Sequence, residues 1–160
     1  MIGLREATEA DRPFLFEVFA STRAGELAVL PWPEEQKRAF LAQQFAAQDA
    51  AYRGRWPGGR FLVVERDGVP VGRLYRCEQP GELRLVDVTL LPEARGAGIG
   101  SALLAGLLAE ADARALRTAL HVQRQNPARR LYERLGFTET GGDDVYVSME
   151  RAPCPVAAVS

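Results

Sequence analysis

Two spacings of apolar residues divide the chain. Near its start, Ile2 to Ala7 reads as a short strand, and Thr8 to Asp11 offers capping side chains for a helix whose Phe14, Leu15, Val18 and Phe19 recur at helical spacing. Leu30-Pro31-Trp32-Pro33 interrupts that helix, because proline disfavours helix in the residue before it; a second helix is predicted from about Glu34 to Tyr52. Beyond the turn-rich Arg55-Trp56-Pro57-Gly58-Gly59 the pattern changes to strands. Arg60 to Arg66 and Val69 to Arg76 flank Asp67-Gly68, a two-residue hairpin signal, and Gln79-Pro80-Gly81 sets off a third strand, Glu82 to Leu91. Together they predict an antiparallel meander. A leucine-striped helix from about Gly98 to Ala113, a strand from Arg117 to Gln123 and a helix from Pro127 to Leu135 follow. A last hairpin, Phe137 to Thr140 and Asp144 to Glu150 turning at Gly141-Gly142, completes the order β-α-α-β-β-β-α-β-α-β-β.

The junction of the third meander strand with the leucine helix carries the first chemistry. Pro92 ends the strand, and Arg95-Gly96-Ala97-Gly98-Ile99-Gly100-Ser101 leads directly into the helix. The first turn of a helix has unpaired N–H groups and a partial positive charge, and glycines admit a phosphate close to the backbone. A pyrophosphate-bearing ligand is the expectation. Gly96, Gly98 and Gly100 read G-x-G-x-G, with Ser101 where a dinucleotide fingerprint needs its third glycine, and no lysine stands where a Walker loop needs one.

Bulk composition narrows the class. At 160 residues, 47% hydrophobic and 26% charged, the chain suits one globular domain, here residues 1–151, with a Pro/Ala/Val-rich flexible tail at 152–160. A formal net charge of −1 argues against nucleic-acid binding, which calls for a basic surplus. Cys77 and Cys154 make neither a disulfide framework nor a metal site, so no metal is expected and a reducing compartment is the default. Charges among the first six residues and the absence of a long apolar run predict a cytoplasmic protein with no membrane segment.

Arg95-Gly96-Ala97-Gly98-Ile99-Gly100 resembles the R/Q-x-x-G-x-G/A signature of the GNAT superfamily of acyl-CoA-dependent N-acyltransferases. Downstream, Asn126-Pro127-Ala128-Arg129-Arg130-Leu131-Tyr132, running on to Gly136-Phe137, is similar to the family's second block, N-x-(x)-A-x-x-L-Y-x-x-x-G-F. The resemblance is close over roughly residues 60–150 and extends to the first 55 residues only in general layout. It implies an α/β (α+β) fold with a mixed, mostly antiparallel central sheet whose fourth and fifth strands are parallel and splay apart, admitting the pantetheine arm of acetyl-CoA. It also implies that Val88, Thr89 and Leu90 meet that arm through their backbone, that Arg95 to Ser101 hold the pyrophosphate, and that Asn126 and Arg129 add contacts. Asn126 and Tyr132 lie one residue closer together than in many relatives.

The implied reaction is acetyl transfer from acetyl-CoA to a primary amine of a small molecule or peptide, by direct attack in a ternary complex. Such transfer needs a neutral amine, a donor for the oxyanion and a proton for the leaving thiolate. Tyr132 matches the family's acid, since a phenol and a thiolate are of similar basicity, and its alternative is a core tyrosine. For a base the candidates are Asp87, off the face of Val86 and Val88, and His121, the one histidine; a pocket that simply selects the neutral amine needs neither. Leu90 N–H is the implied oxyanion donor.

Acceptor choice is assigned by the resemblance to the first two helices and their loop. Glu26, Trp32 and Gln44, with Asp87, are the candidates, Gln44 and Gln48 sharing a helical face with Phe40 and Phe45. Glu26 and Asp87 suit a cationic amine, and a homodimer is one expected assembly. An alternative from another class is a catalytically silent acyl-CoA-binding or sensing domain.

Overall fold

The structure, a computed structural model, describes residues 1–155. Strands β1 (Ile2–Glu6), β2 (Arg60–Arg66), β3 (Val69–Gln79), β4 (Glu82–Leu90), β5 (Arg117–Gln123), β6 (Thr138–Gly142) and β7 (Tyr146–Arg151) alternate with helices α1 (Arg12–Ala28), α2 (Glu34–Arg55), α3 (Ile99–Ala113) and α4 (Ala128–Arg134). The strands form one seven-stranded sheet in the order β1-β2-β3-β4-β5-β7-β6. β1 pairs antiparallel with β2, β5 with β7 and β6 with β7, whereas β4 and β5 run parallel. Their register extends only from Glu82–Arg117 to Leu85–Leu120; beyond it β5 continues along β7, pairing His121 with Ser148 and Val122 with Val147.

The element order matches expectation, and the boundaries differ where turn chemistry decides. β3 runs three residues further than predicted, because Pro80-Gly81 closes a tight turn, with Gly81 at φ 73°, that keeps Cys77 to Gln79 in the ladder. Asp67 and Gly68 both take positive φ, 51° and 81°, as a two-residue hairpin requires. Gly141 and Gly142, expected to turn, instead end β6 across an irregularity in register. The reversal falls one step later, where the Asp143 carboxylate accepts the Val145 and Tyr146 N–H groups, both at 2.8 Å. Gly142 has φ 139°, and a Cβ there would run into the backbone of Tyr146 and Val147.

Two compact units share these elements. The first comprises Met1–Tyr75 with Asp87–Ile99. Its core joins Leu15, Phe19 and Leu27 of α1 to Leu41 and Phe45 of α2 and Val63 of β2. α1 is preceded by a short 3-10 turn, Glu9–Asp11, whose Asp11 accepts the Thr8 N–H at 2.7 Å and both terminal nitrogens of Arg5. Those bonds, Arg5 first, hold the Asp11 carboxyl well below the usual carboxylate range.

The second unit comprises Arg76–Val86 with the chain from Gly100 onward. Leu103, Leu104, Leu107, Leu108 and Ala111 form the buried stripe of α3, and Leu120, Val122, Val147 and Met149 bury one face of the β5–β7 ladder. Buried Arg151 grips Asp112 at 2.8 and 3.2 Å and the Leu135 carbonyl at 3.0 Å, tying β7 to the ends of α3 and α4. Asp112 also accepts the Cys154 N–H at 2.9 Å, so the start of the predicted tail is bonded to the unit; residues 156–160 lie outside the described residues. Among the described residues no helix is long and apolar enough to cross a membrane.

Candidate active site

The predicted phosphate loop is built as its glycines require. After a 3-10 turn at Pro92–Ala94, Gly96 and Gly98 each take φ 79°, a conformation L side chains rarely adopt, and α3 begins at Ile99. Left-handed residues alternating with ordinary ones turn successive N–H groups toward one side, which makes an anion-binding concavity. Arg95, Gly96, Ala97 and Gly98 are exposed, as is Ser101 in the first helical turn, while Ile99 is buried and anchors the loop. Arg95 Nε donates to the Leu90 carbonyl at 3.2 Å, bracing the end of β4. Gly72 of β3 lies against this strand end: a Cβ there would meet Leu90 Cα at 3.0 Å and the Thr89 carbonyl closer still.

Val86, Val88 and Leu90 take one face of β4 and Asp87 and Thr89 the other. On that second face a polar cluster closes around Asp87. Arg73 Nη2 donates to Asp87 Oδ2 at 2.8 Å and to Gln48 Oε1 at 3.0 Å; the Tyr52 hydroxyl donates to Oδ2 at 3.0 Å, and Thr89 Oγ1 to Oδ1 at 2.7 Å. The Arg73 side chain is 3% exposed and that of Asp87 10%, so this ion pair is desolvated. Arg73 packs over the Tyr75 ring at 5.2 Å, and Tyr75 meets the Tyr52 ring edge to face. Burial first, and then the Asp87 charge, push the Tyr52 phenol far above its ordinary value. Arg73 Nε is buried with no hydrogen-bond partner among the described residues.

Of the acceptor candidates, Trp32 is half-buried with its ring edge-to-face on Phe40 at 5.5 Å, Gln44 is half-buried on α2, and Glu26 is exposed on α1. Glu26 shares no hydrogen bond with the Asp87 cluster among the described residues. Tyr52 and Arg73 are the residues that sequence reasoning missed. Their signal was an arginine inside an otherwise buried strand, which requires a carboxylate partner.

In the second unit, Tyr132 is buried on α4 with its ring 5.7 Å from that of Phe137. Asn126 Oδ1 accepts the Ala128 N–H at 2.9 Å, capping α4, whose first assigned residue comes one after Pro127. Arg129 Nη2 donates to Glu139 at 3.1 Å, and its Nε stands at ion-pair distance from Glu133 without hydrogen-bond geometry. His121 is exposed on β5, opposite Ser148. Its charge adds slightly to the lowering of the Asp143 carboxyl, which stems mainly from the Tyr146 and Val145 N–H bonds. Among the described residues no three His, Cys, Asp or Glu side chains cluster to hold a metal ion.

Parallel β4–β5 within a mostly antiparallel sheet, with a glycine loop feeding α3, is the arrangement the sequence resemblance implied, and comparison with known proteins agrees. The model of the acetyltransferase (GNAT) family matches residues 22–137, and the chain belongs to that family. Mycothiol acetyltransferase of Streptomyces griseus is 42% identical over 92 residues, 54% of this chain and 29% of that protein. Mycothiol acetyltransferase of Thermomonospora curvata is 41% identical over 97 residues, 58% of this chain and 32% of its own length. The chain thus spans about a third of the curated relatives it matches. Among solved structures, the PaiA N-acetyltransferase of Thermoplasma acidophilum in complex with coenzyme A superposes with TM-score 0.69 at 20% identity, covering 95% of this chain and 99% of that one. The ribosomal-protein-S18-alanine N-acetyltransferase of Escherichia coli gives 0.66 at 20% identity, covering 99% and 97%. Likeness at that identity shows the fold.

Proposed function

We propose that the chain transfers an acetyl group from acetyl-CoA to a primary amine of a small molecule or peptide, by direct attack in a ternary complex. The observation that carries this reading is the family match over residues 22–137, which takes in both the glycine loop and the Asn126 to Phe137 block. The left-handed Gly96 and Gly98, followed by the first-turn amides of α3, suit the pyrophosphate of acetyl-CoA, with Arg95, Ala97, Ile99, Gly100 and Ser101 completing that segment. Val88, Thr89 and Leu90 offer backbone groups to the pantetheine arm, Leu90 N–H meets the oxyanion, and Asn126 and Arg129 add cofactor contacts. Acetyl-CoA supplies the activated thioester; no metal enters the scheme.

Tyr132 is the proposed acid for the leaving thiolate. His121, exposed, is the proposed side-chain base where one operates; Asp87, which already accepts from three donors, is better suited to organising the acceptor side with Glu26, Trp32 and Gln44. The working unit is proposed as residues 1–151 acting in the cytoplasm, as a monomer or homodimer.

The test is free-thiol release from acetyl-CoA against a panel of amino acids, polyamines, aminoglycosides, a peptide with N-terminal alanine and the acceptor of the mycothiol enzymes. Turnover with at least one amine supports the reading. Tyr132→Phe then lowers turnover roughly 10²-fold with acetyl-CoA affinity retained; unchanged turnover removes Tyr132 from the mechanism. Binding of acetyl-CoA with no turnover across the panel favours a silent acyl-CoA-binding domain instead.

A further inference from the structure

Two hydroxyl groups in the first unit have lost their freedom to donate. Asp87 pairs with buried Arg73 and accepts from each neighbour, the bonds from Tyr52 at 3.0 Å and Thr89 at 2.7 Å carrying the hydroxyl protons toward it. Each of these oxygens then presents only lone pairs to anything else. Tyr52, from α2, and Thr89, from β4, are both half-buried rather than sealed. Three donors already occupy the carboxylate: Oδ2 takes Arg73 and Tyr52, and Oδ1 takes Thr89.

We propose that Tyr52 Oη and Thr89 Oγ1 form the acceptor-amine recognition site, accepting hydrogen bonds from the substrate N–H groups, with Asp87 a positioning residue that acts through them. This rests on the reading of the chain as an amine acetyltransferase. The arrangement selects donors: a primary amine offers N–H groups to both oxygens, whereas an ether, ester or carboxylate confronts two lone-pair surfaces. Tyr52 keeps its proton throughout, because burial and the Asp87 charge oppose the phenolate. Gln48 and Tyr75 brace the cluster: Gln48 accepts from Arg73, and Tyr75 lies against the Arg73 guanidinium and meets Tyr52 edge to face.

The side chains test this directly, since each hydroxyl can be removed with shape retained. Steady-state thiol release is measured with the fastest amine of the panel above for wild type, Tyr52→Phe, Thr89→Val and Thr89→Ser. Tyr52→Phe and Thr89→Val are each expected to raise KM for the amine about 10-fold, the loss of one hydrogen bond to the substrate, with KM for acetyl-CoA unchanged. Thr89→Ser, which keeps the hydroxyl, recovers most of the rise in amine KM that Thr89→Val causes. Equal KM values for the amine in wild type and both deletion variants overturn the proposal, as does a parallel rise in both Michaelis constants, which marks a merely structural role. A wild-type chain that turns over no amine overturns the underlying function reading instead, and this proposal with it.

Discussion

Replacing Arg73 with methionine separates the energetics of the Asp87 cluster from its role with substrate. The guanidinium is 3% exposed and sits 2.8 Å from a carboxylate that is 10% exposed, so its removal leaves a buried charge held only by Tyr52 and Thr89. Breaking a buried pair in this way costs about 3–5 kcal/mol. One effect reduces that figure: Arg73 Nε is itself a buried donor without a hydrogen-bond partner among the described residues, and its removal returns roughly 1 kcal/mol of desolvation cost. The net expectation is a loss of about 2–4 kcal/mol at pH 7.

The assay is urea unfolding at pH 7 for wild type, Arg73→Met and the double variant Arg73→Met with Asp87→Asn. The neutral amide of the double variant should restore most of the loss at pH 7. An Arg73→Met variant within 1 kcal/mol of wild type, or no rescue by Asp87→Asn, refutes the reasoning; the first would leave no sign of a desolvated pair.

Three further outcomes test other parts of the fold. Bonds from Arg76 at 2.8 and 2.5 Å, then Arg114, hold the Glu110 carboxyl at about 2, below its ordinary 4.5. A depressed carboxyl contributes stability that is complete above its unfolded value and lost as pH falls through its folded value. With Glu110 35% exposed, solvent screening leaves about 1 kcal/mol, so Glu110→Gln should cost that much at pH 7 and nothing near pH 2 in chemical unfolding. Gly106, exposed inside α3 with open space around its Cβ position, should become about 0.5–1 kcal/mol more stabilising as alanine, read as a rise in Tm. Gly142→Ala should destabilise by about 1–3 kcal/mol, because its φ of 139° and the adjacent Tyr146 backbone leave no room.

What the sequence disclosed follows the range of the interactions involved. Asp67-Gly68 and Pro80-Gly81 encode their turns in two residues, so β2 and the β3–β4 hairpin could be located from local chemistry. The paired glycines at 141 and 142 misled because glycine serves a tight turn and a strand irregularity equally well; the Asp143 carboxylate decides which, through bonds that form only once the chain has turned. The glycine loop was legible for the same local reason, since alternating glycines before an apolar helix demand left-handed backbone. The cluster around Asp87 was not. Its members come from α2, β3 and β4, and separations of 35 residues for Tyr52–Asp87 and 25 for Gln48–Arg73 lie beyond any periodicity. Asp87 could be placed on a face of its strand, but only the fold reveals the three donors gathered around it.

The central claim, acetyl transfer to an amine, is tested most directly by incubating the chain with acetyl-CoA and the amine panel, following free thiol and the mass of each amine together. The account predicts thiol release that depends on one class of amine, with an equal quantity of that amine carrying an acetyl group. Acetyl-CoA binding without thiol release for any amine, or thiol release with every amine left unmodified, would contradict it.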